Sequence, residues 1–147
     1  GGRITHALAD YFVTLMKVVR PDVTLLSGMS ITWPPAMLDM KRGDVLLVFD
    51  IRRYENSVLQ LVELAVEQGA EVILITDRWV SPASAHARHT LSCHIEAPSA
   101  WDSTVSITVL VETLLASVQT LTWDQTEARL KRLEALYDRS RFFRRNR

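Results

Sequence analysis

Two continuous apolar runs frame the middle of the chain, at residues 45–49 and 72–75. Neither run alternates with polar residues as a half-solvated strand would, so both are predicted to be strands of a parallel sheet that is covered on each face. Between them, residues 56–68 place apolar side chains at three- and four-residue spacing, which predicts a helix packed on the sheet. The apolar stripe of this helix consists of Val58, Leu61, Val62, Ala65 and Val66. Gly69 then supplies the left-handed end that a short helix-to-strand turn needs.

The same periodicities predict the elements on either side of this β-α-β unit. They are a helix at 4–19, a short strand at 23–26, a short helix at 33–39, an edge strand at 90–95, a long helix from Asp102 and a last helix at 123–143. Thr5 is expected to cap the first helix, and Pro21 follows its end. Because an α/β domain normally opens with a strand, the chain is expected to be a fragment of a longer parent that supplies the first strand.

The functional residues of such a unit are expected where its strands end. In open parallel sheets, ligands sit outside the carboxyl ends of the strands, where helix N-termini offer unpaired N–H groups to anions. The first strand end carries Arg52 and Arg53, whose guanidinium groups suit a phosphate or a carboxylate, with Asp50 able to hold one of them in place. A structural Asp–Arg pair that closes the loop is an equally good interpretation.

Hydroxyl groups follow at the next strand end and at the start of a helix. Thr76 and Ser81 flank the end of the second strand, and Ser103 stands beside Asp102 at the predicted start of the long helix. We expect these hydroxyls to line the same crevice, although hydroxyl groups at such places also form ordinary turns and caps. Capping is the stronger interpretation for Asp102.

A glycine-rich start precedes the first helix and is a further candidate anion site. Gly2 would allow an anion to approach the backbone closely, and Thr5 could donate its hydroxyl group. Glycines at a chain terminus are weak evidence on their own. Together with the strand ends, they lead us to expect one shared anion pocket formed by Thr5, Arg52, Arg53 and Ser81.

Two other sets of titratable residues are weaker candidates. Glu112 interrupts an apolar helix face and could act as a catalytic base with a raised pKa, but a partly exposed glutamate, or one at a dimer interface, is the better interpretation. His86 and His89 have the spacing of metal ligands on a helix. No Cys or carboxylate completes a ligand set, so neither a metal nor another cofactor is predicted.

Composition restricts the function further. The 147 residues suit one domain with a full α/β core, and the formal net charge of zero gives no domain-wide reason to bind nucleic acid or a membrane. The single cysteine, Cys93, can form no internal disulfide bond, which favours a reducing, cytoplasmic location. No apolar stretch approaches the roughly 20 residues that span a bilayer.

The order of these loops resembles the sugar isomerase (SIS) domain, specifically that of RpiR-type bacterial transcription regulators. Residues 1–9, GGRITHALA, are similar to the family pattern Gly-x-x-x-Ser/Thr-x-x-x-Ala that follows its first strand. Residues 50–54, Gly69-Ala70 through Asp77, Ser81-Pro82 and Asp102-Ser103 continue the resemblance over nearly the whole chain. One loop departs from it. Many SIS domains have Ser-x-Ser-Gly-x-Thr after the strand that here ends at Asp50, whereas this chain has Asp-Ile-Arg-Arg-Tyr-Glu-Asn-Ser.

The resemblance implies an α/β fold, a flavodoxin-like three-layer α-β-α sandwich with a five-stranded parallel sheet, usually dimeric. It implies a phosphosugar at the strand ends, with Thr5 on the phosphate side and Ser81 and Ser103 near the sugar. In many SIS domains the hydroxyl groups of the Ser-x-Ser-Gly-x-Thr loop bind the phosphate, and this chain lacks them. Either Arg52 or Arg53 therefore replaces these hydroxyl groups, or the ligand is not a simple phosphosugar. In the regulators, an N-terminal helix-turn-helix domain contacts DNA, and we expect the longer parent of this chain to carry such a domain.

Three functions are therefore considered. The favoured one is a non-catalytic domain that senses a phosphosugar or sugar-acid effector and acts on DNA only through the missing N-terminal domain, as a homodimer. The second is an aldose–ketose phosphate isomerase, for which Glu112 or a histidine would be the base. The third is a ligand-free dimerisation domain, with Trp123, Leu130, Leu133 and Tyr137 at the interface.

Overall fold

The computed structural model describes residues 4–141, so the predicted ligand-binding residue Gly2 lies outside the described residues. Its helices and strands, numbered in chain order, are α1 (Thr5–Val19), α2 (Trp33–Met37), β1 (Val45–Asp50), α3 (Asn56–Glu67), β2 (Glu71–Asp77), β3 (His89–Cys93), α4 (Val105–Leu121) and α5 (Trp123–Ser140). Single 3₁₀ turns form at Ser30–Thr32 and Pro82–Ala85.

The three strands form a parallel sheet in the order β1-β2-β3. This confirms the predicted β-α-β unit and the position of β3 at an edge. The register pairs Asp50 with Thr76 and Asp77 with Cys93, so the carboxyl ends of all three strands lie side by side. Gly69 has a φ of +89°, as the predicted turn requires, and a Cβ there would come within 3.4 Å of Arg42.

The predicted five-stranded sheet is wrong for the part of the chain that the structure describes, which has three strands. Residues 23–26, predicted as a strand, lack strand structure. Val23 and Leu26 are partly buried against the core, so their apolar character is used in packing. A strand also needs the backbone of a neighbouring strand, and the pattern along one segment carries no information about whether that neighbour is in place.

The sheet lies between two helical layers. Neighbouring strand residues point to opposite faces, so Val48 and Leu74 pack with α2 and α3, whereas Phe49 and Ile75 pack with α1 and α4. Both faces of β1 and β2 are therefore buried, which is why their apolar runs are continuous. Helix α5 packs on α1, and the Arg129 Nη2 atom donates to the carbonyl oxygen of Lys17 over 2.6 Å.

Several predicted helix boundaries need correction. Helix α4 begins at Val105 rather than Asp102: residues 102–104 are not helical, and the Ser103 N–H donates to the Ile95 carbonyl oxygen (2.7 Å). Thr5 is the first residue of α1, and Ile4 is the N-cap. Val66 is 41% exposed and so does not belong to the buried stripe of α3. Helix α5 ends at Ser140, before the predicted end at residue 143, and Arg141 follows it in a left-handed conformation with a φ of +54°.

Helices α4 and α5 are the longest and meet at a sharp bend. Within residues 4–141, no single helix combines the length and the hydropathy needed to cross a membrane. The pair Val105–Leu121 and Trp123–Ser140, bent by 101°, satisfies that criterion jointly, by length and composition alone.

Candidate functional site

Asp50, at the end of β1, forms a buried hydrogen-bonded contact with the loop after β2. The Ser81 hydroxyl donates to Asp50 Oδ2 over 2.5 Å, and Ser81 Oγ accepts the Ala83 N–H over 3.2 Å. The Ser81 N–H donates to Thr76 Oγ1 over 3.0 Å. Burial raises the pKa of the Asp50 carboxyl group, and the hydrogen bond from Ser81 opposes that rise. These bonds join the ends of β1 and β2.

Asp77, the last residue of β2, is fully buried and accepts three hydrogen bonds. Asp77 Oδ2 accepts the backbone N–H of Arg52 over 2.5 Å, and Oδ1 accepts the Tyr54 hydroxyl (2.6 Å) and the Trp79 N–H (3.0 Å). Arg52 has a φ of +65°, a left-handed conformation that is unfavourable for a side chain with a Cβ. Asp77 thereby fixes the β1–α3 loop in an unusual conformation, which sets the direction of the Arg52 side chain.

The hydroxyl of Tyr54 depends on the same carboxylate. Burial and the hydrogen bond to Asp77 raise the pKa of Tyr54, in that order of size. The phenol therefore stays protonated and continues to donate to Asp77 at neutral pH. We refer to Asp50, Thr76, Asp77 and Ser81, all buried at the strand ends, as the polar floor.

Above this floor lie exposed cationic and aromatic side chains, namely Arg52, Arg53, Arg78 and Trp79, which we refer to as the rim. The Cζ atom of Arg52 lies 5.2 Å from the centroid of the Trp79 ring, and that of Arg78 lies 4.5 Å from it. Arg52 Nε also pairs with Asp102 Oδ1 at 3.0 Å. The side chains of Arg52 and Asp102 remain 51% and 26% exposed, so the guanidinium group is accessible to a ligand.

The two remaining arginines of the rim differ in their partners. Arg78 Nη2 pairs with Glu96 Oε1 at 3.0 Å, and the Arg78 side chain is 57% exposed. Arg53 is exposed, and within residues 4–141 its guanidinium group has neither an ion pair nor a hydrogen bond. The rim therefore offers three guanidinium groups at one end of the sheet, two of which have carboxylate partners.

The predicted site residues fall into different parts of this arrangement. Arg52 and Arg53 belong to the rim, and Thr76 and Ser81 to the floor beneath it. Ser103 lies two residues before α4, next to the Asp102 that pairs with Arg52, and its Oγ accepts the Val105 N–H over 3.3 Å. Thr5 is buried in the first turn of α1, so its contribution to the pocket stays a prediction.

The prediction that Asp50 pairs with an arginine of its loop is wrong. Arg52 pairs with Asp102, 50 positions further along the chain, while Asp50 binds Ser81. The second strand end was predicted to be functional, but three of its residues were not among the predicted ligand-binding residues: Asp77, Arg78 and Trp79. A buried strand that ends in an aspartate followed by a cationic and an aromatic side chain was the available signal.

The structure does not support Glu112 as a catalytic base or His86 and His89 as metal ligands. Glu112 is exposed on α4 and accepts the Tyr11 hydroxyl over 3.0 Å, about two helical turns from the start of α4. His86 pairs with Glu63 at 3.4 Å. Within residues 4–141, no three His, Cys, Asp or Glu side chains form a group that could hold a metal ion.

Comparison with known proteins identifies the family. The model of the SIS domain family matches residues 1–117. This chain belongs to the SIS domain family. The resemblance drawn from the loops is thereby confirmed, and the parallel sheet with its carboxyl-end loops is that of a SIS domain. Among curated proteins, no sequence matches the chain significantly.

Two solved structures with the same fold each have a TM-score of 0.74. The sugar isomerase domain of an RpiR transcription factor from Sphaerobacter thermophilus has a TM-score of 0.74 at 22% identity, and the match covers 88% of this chain and 73% of that one. NanR of Vibrio vulnificus, complexed with ManNAc-6P, has a TM-score of 0.74 at 14% identity, covering 93% of this chain and 53% of that one. This SIS domain thus spans about half the length of NanR.

A third structure with the fold is a Bacillus subtilis protein provisionally assigned as a phosphosugar isomerase. Its TM-score is 0.59 at 12% identity, and the match covers 95% of this chain and 43% of that one. At these identities the likeness shows a shared fold, and function has to be argued from the SIS domain's own residues.

Proposed function

We propose that this SIS domain senses a phosphosugar or sugar-acid effector, which binds at the carboxyl ends of β1 and β2, as part of a transcription regulator of the RpiR type. The likeness to the RpiR and NanR structures supports the regulator class, and the ManNAc-6P complex of NanR supports the ligand class. In this proposal the domain itself is not an enzyme and needs no cofactor.

The observation that carries the proposal is the position of Arg52. Its backbone adopts a left-handed conformation that Asp77 stabilises from the buried floor, and its guanidinium group is half exposed over the strand ends. Strain of this kind costs of order 1–3 kcal/mol and persists where the surrounding structure enforces it, often at ligand sites. A guanidinium fixed in this way can form two parallel hydrogen bonds to a phosphate or carboxylate.

Arg52 and Arg53 replace the hydroxyl groups that many SIS domains carry in this loop. Arg53 has no competing partner among the described residues, whereas an anion that binds Arg52 competes with Asp102. Asp102 lies just before α4, so the competition alters a contact between the β1–α3 loop and the start of α4. That contact gives ligand binding a route to the helical layer.

The proposal also covers the oligomeric state and the parent protein. We propose a cytoplasmic homodimer whose parent protein carries an N-terminal helix-turn-helix domain, so that DNA is contacted by that domain alone. Ligand binding would then change the dimer geometry and the spacing of the two DNA-binding domains. Gly2, Thr5 and Ser103 remain proposed contacts of the ligand beside the two arginines.

Thermal melting with sugar phosphates and sugar acids tests the binding proposal. A ligand at about 100 times its dissociation constant adds about 2.7 kcal/mol to the free energy of unfolding. We expect at least one of these compounds to raise the melting temperature, and Arg52→Gln to abolish the rise. The matched control is Arg88→Gln, which removes an exposed arginine paired with Glu71 at the amino end of the sheet. No rise with any of the compounds contradicts the proposal.

The isomerase alternative is less well supported. Proton transfer between sugar carbons needs a base within hydrogen-bonding distance of the substrate. Glu112 is exposed about two turns along α4 and is engaged with Tyr11. Turnover of a phosphosugar that Glu112→Gln abolishes would nevertheless establish the isomerase and overturn the non-catalytic proposal.

A further inference from the structure

Trp79 connects two arginines that come from different strand ends. Arg52 follows β1 by two residues, Arg78 follows β2 directly, and both guanidinium groups lie against the Trp79 ring. Their Cζ atoms are therefore no farther apart than the sum of the two distances to the ring centroid. The backbone N–H of Trp79 donates to the buried Asp77, which anchors the main chain of Trp79 at the end of β2.

Each of these two guanidinium groups already faces one anionic group. Asp102 pairs with Arg52 and Glu96 pairs with Arg78, both at 3.0 Å, and all four side chains are partly exposed. The two carboxylates come from the segment between β3 and α4, which follows the carboxyl end of β3. The rim therefore contains two separate anion positions around one indole ring, each occupied by a carboxylate of the domain itself.

A ligand with one anionic group can replace only one of these carboxylates. Exposed ion pairs contribute little stability, so their replacement by a ligand costs little. A ligand with two anionic groups can engage both guanidinium groups, and Arg53 adds a third cation next to Arg52. Such a ligand matches the charge of the rim better than a sugar with a single phosphate does.

We infer that the effector carries two anionic groups on one sugar, such as a phosphate and a carboxylate, with Arg52 and Arg53 binding one group and Arg78 binding the other. Trp79 is a positioning residue that holds Arg52 and Arg78 at a fixed separation. This inference rests on the proposed function, because it names the ligand class of the same site.

Isothermal titration calorimetry with three six-carbon probes tests the inference. Glucose 6-phosphate and gluconate each carry one anionic group, and 6-phosphogluconate carries both. We expect 6-phosphogluconate to bind at least tenfold more tightly than either of the others. In Arg78→Gln, we expect the preference over glucose 6-phosphate to fall to threefold or less, while Arg88→Gln retains it.

Trp79 variants separate positioning from a purely structural role. We expect Trp79→Ala to reduce the affinity for 6-phosphogluconate about fivefold and Trp79→Phe to restore most of it, because a phenyl face still attracts guanidinium groups. Circular dichroism melts verify that both variants are folded.

The outcomes are distinguishable. Equal affinities for glucose 6-phosphate and 6-phosphogluconate, or an Arg78→Gln variant that weakens both equally, overturn the two-anion inference while the proposed function stands. Equal losses in Trp79→Ala and Trp79→Phe overturn the positioning role. If none of the three probes nor any other sugar phosphate or sugar acid binds, the proposed function fails, and the inference fails with it.

Discussion

The floor and the rim lie next to each other at the strand ends, yet their polar groups are held in opposite ways. In the floor, Asp50 and Asp77 are buried and accept hydrogen bonds from fixed donors. In the rim, Arg52 and Arg78 are about half exposed and pair with carboxylates that solvent also reaches. When a buried hydrogen-bond partner is removed, the remaining polar group has no hydrogen bond to protein or to water, which is costly. When an exposed ion-pair partner is removed, water or a ligand takes its place at little cost. The floor should therefore determine stability, and the rim should determine binding.

The largest effect is expected at Asp77. Asp77→Ala removes the acceptor of three hydrogen bonds and the group that stabilises the left-handed Arg52. With each of these three partly buried hydrogen bonds contributing about 1–1.5 kcal/mol, we expect the free energy of unfolding in urea to fall by about 3–5 kcal/mol.

Asp102→Ala is the matched control for Asp77→Ala, because it removes a partner of Arg52 from the rim instead of the floor. Its expected loss is within about 1 kcal/mol. Equal losses in the two variants would remove the distinction between floor and rim.

Ser81→Ala should show the next largest effect. The change deprives the buried Asp50 carboxyl group of its hydroxyl donor and the Ala83 N–H of its acceptor. We expect a loss of about 1–3 kcal/mol in urea unfolding. Ser99→Ala, which removes an exposed hydroxyl bonded to the Trp101 backbone, should change stability by less than about 0.5 kcal/mol. A Ser81→Ala variant as stable as the Ser99→Ala variant would contradict the role given to the floor.

Arg52→Gly separates binding from stability within one residue. Glycine adopts a φ of +65° without strain, which offsets the loss of the exposed ion pair with Asp102. We expect the free energy of unfolding to change by less than about 1 kcal/mol. Affinity for the tightest-binding sugar phosphate or sugar acid should fall at least tenfold, as expected when a charged hydrogen bond of about 1.5–3 kcal/mol is lost. Retained affinity would show that Arg52 is not a ligand contact.

The smallest effect is a pH dependence that arises from Asp50. Its folded-state pKa is raised above the ordinary value of 3.8, chiefly by burial. As the pH falls between the folded value and 3.8, the folded state holds more protons than the unfolded state, so the free energy of unfolding rises through that window. Compared with Asp50→Asn, the unchanged protein should gain relative stability as the pH falls. A relative loss over the same window would contradict burial as the dominant influence on Asp50.

Local patterns predicted much of the fold. The continuous apolar runs of β1 and β2 identified buried parallel strands, and Gly69 marked the turn between α3 and β2. Residues 23–26 have the same apolar character but lack strand structure, because strand pairing depends on a neighbouring backbone that may be distant in sequence. The late start of α4 coincides with a hydrogen bond from Ser103 back to Ile95, in the loop that follows β3.

The sequence predicted where the candidate site lies, but it did not predict which side chains contact one another there. Position at the strand ends identified Arg52, Arg53, Thr76 and Ser81. The sequence did not reveal that Asp77 would hold Arg52, since 25 residues separate them and the contact exists only once the strands pair. The contact of Arg78 and Arg52 with Trp79 likewise requires both loops to be folded.

In the proposed function, the exposed arginines at the carboxyl ends of the strands bind the effector. Nuclear magnetic resonance of the arginine Nε–Hε groups, recorded during titration with 6-phosphogluconate and with glucose 6-phosphate, tests it most directly. We predict saturable changes at Arg52 and Arg53 with a ratio of one ligand per domain, and none at Arg88 at the amino end of the sheet. Unchanged Arg52 and Arg53 signals at saturating ligand, or equal changes at Arg88, would contradict the account.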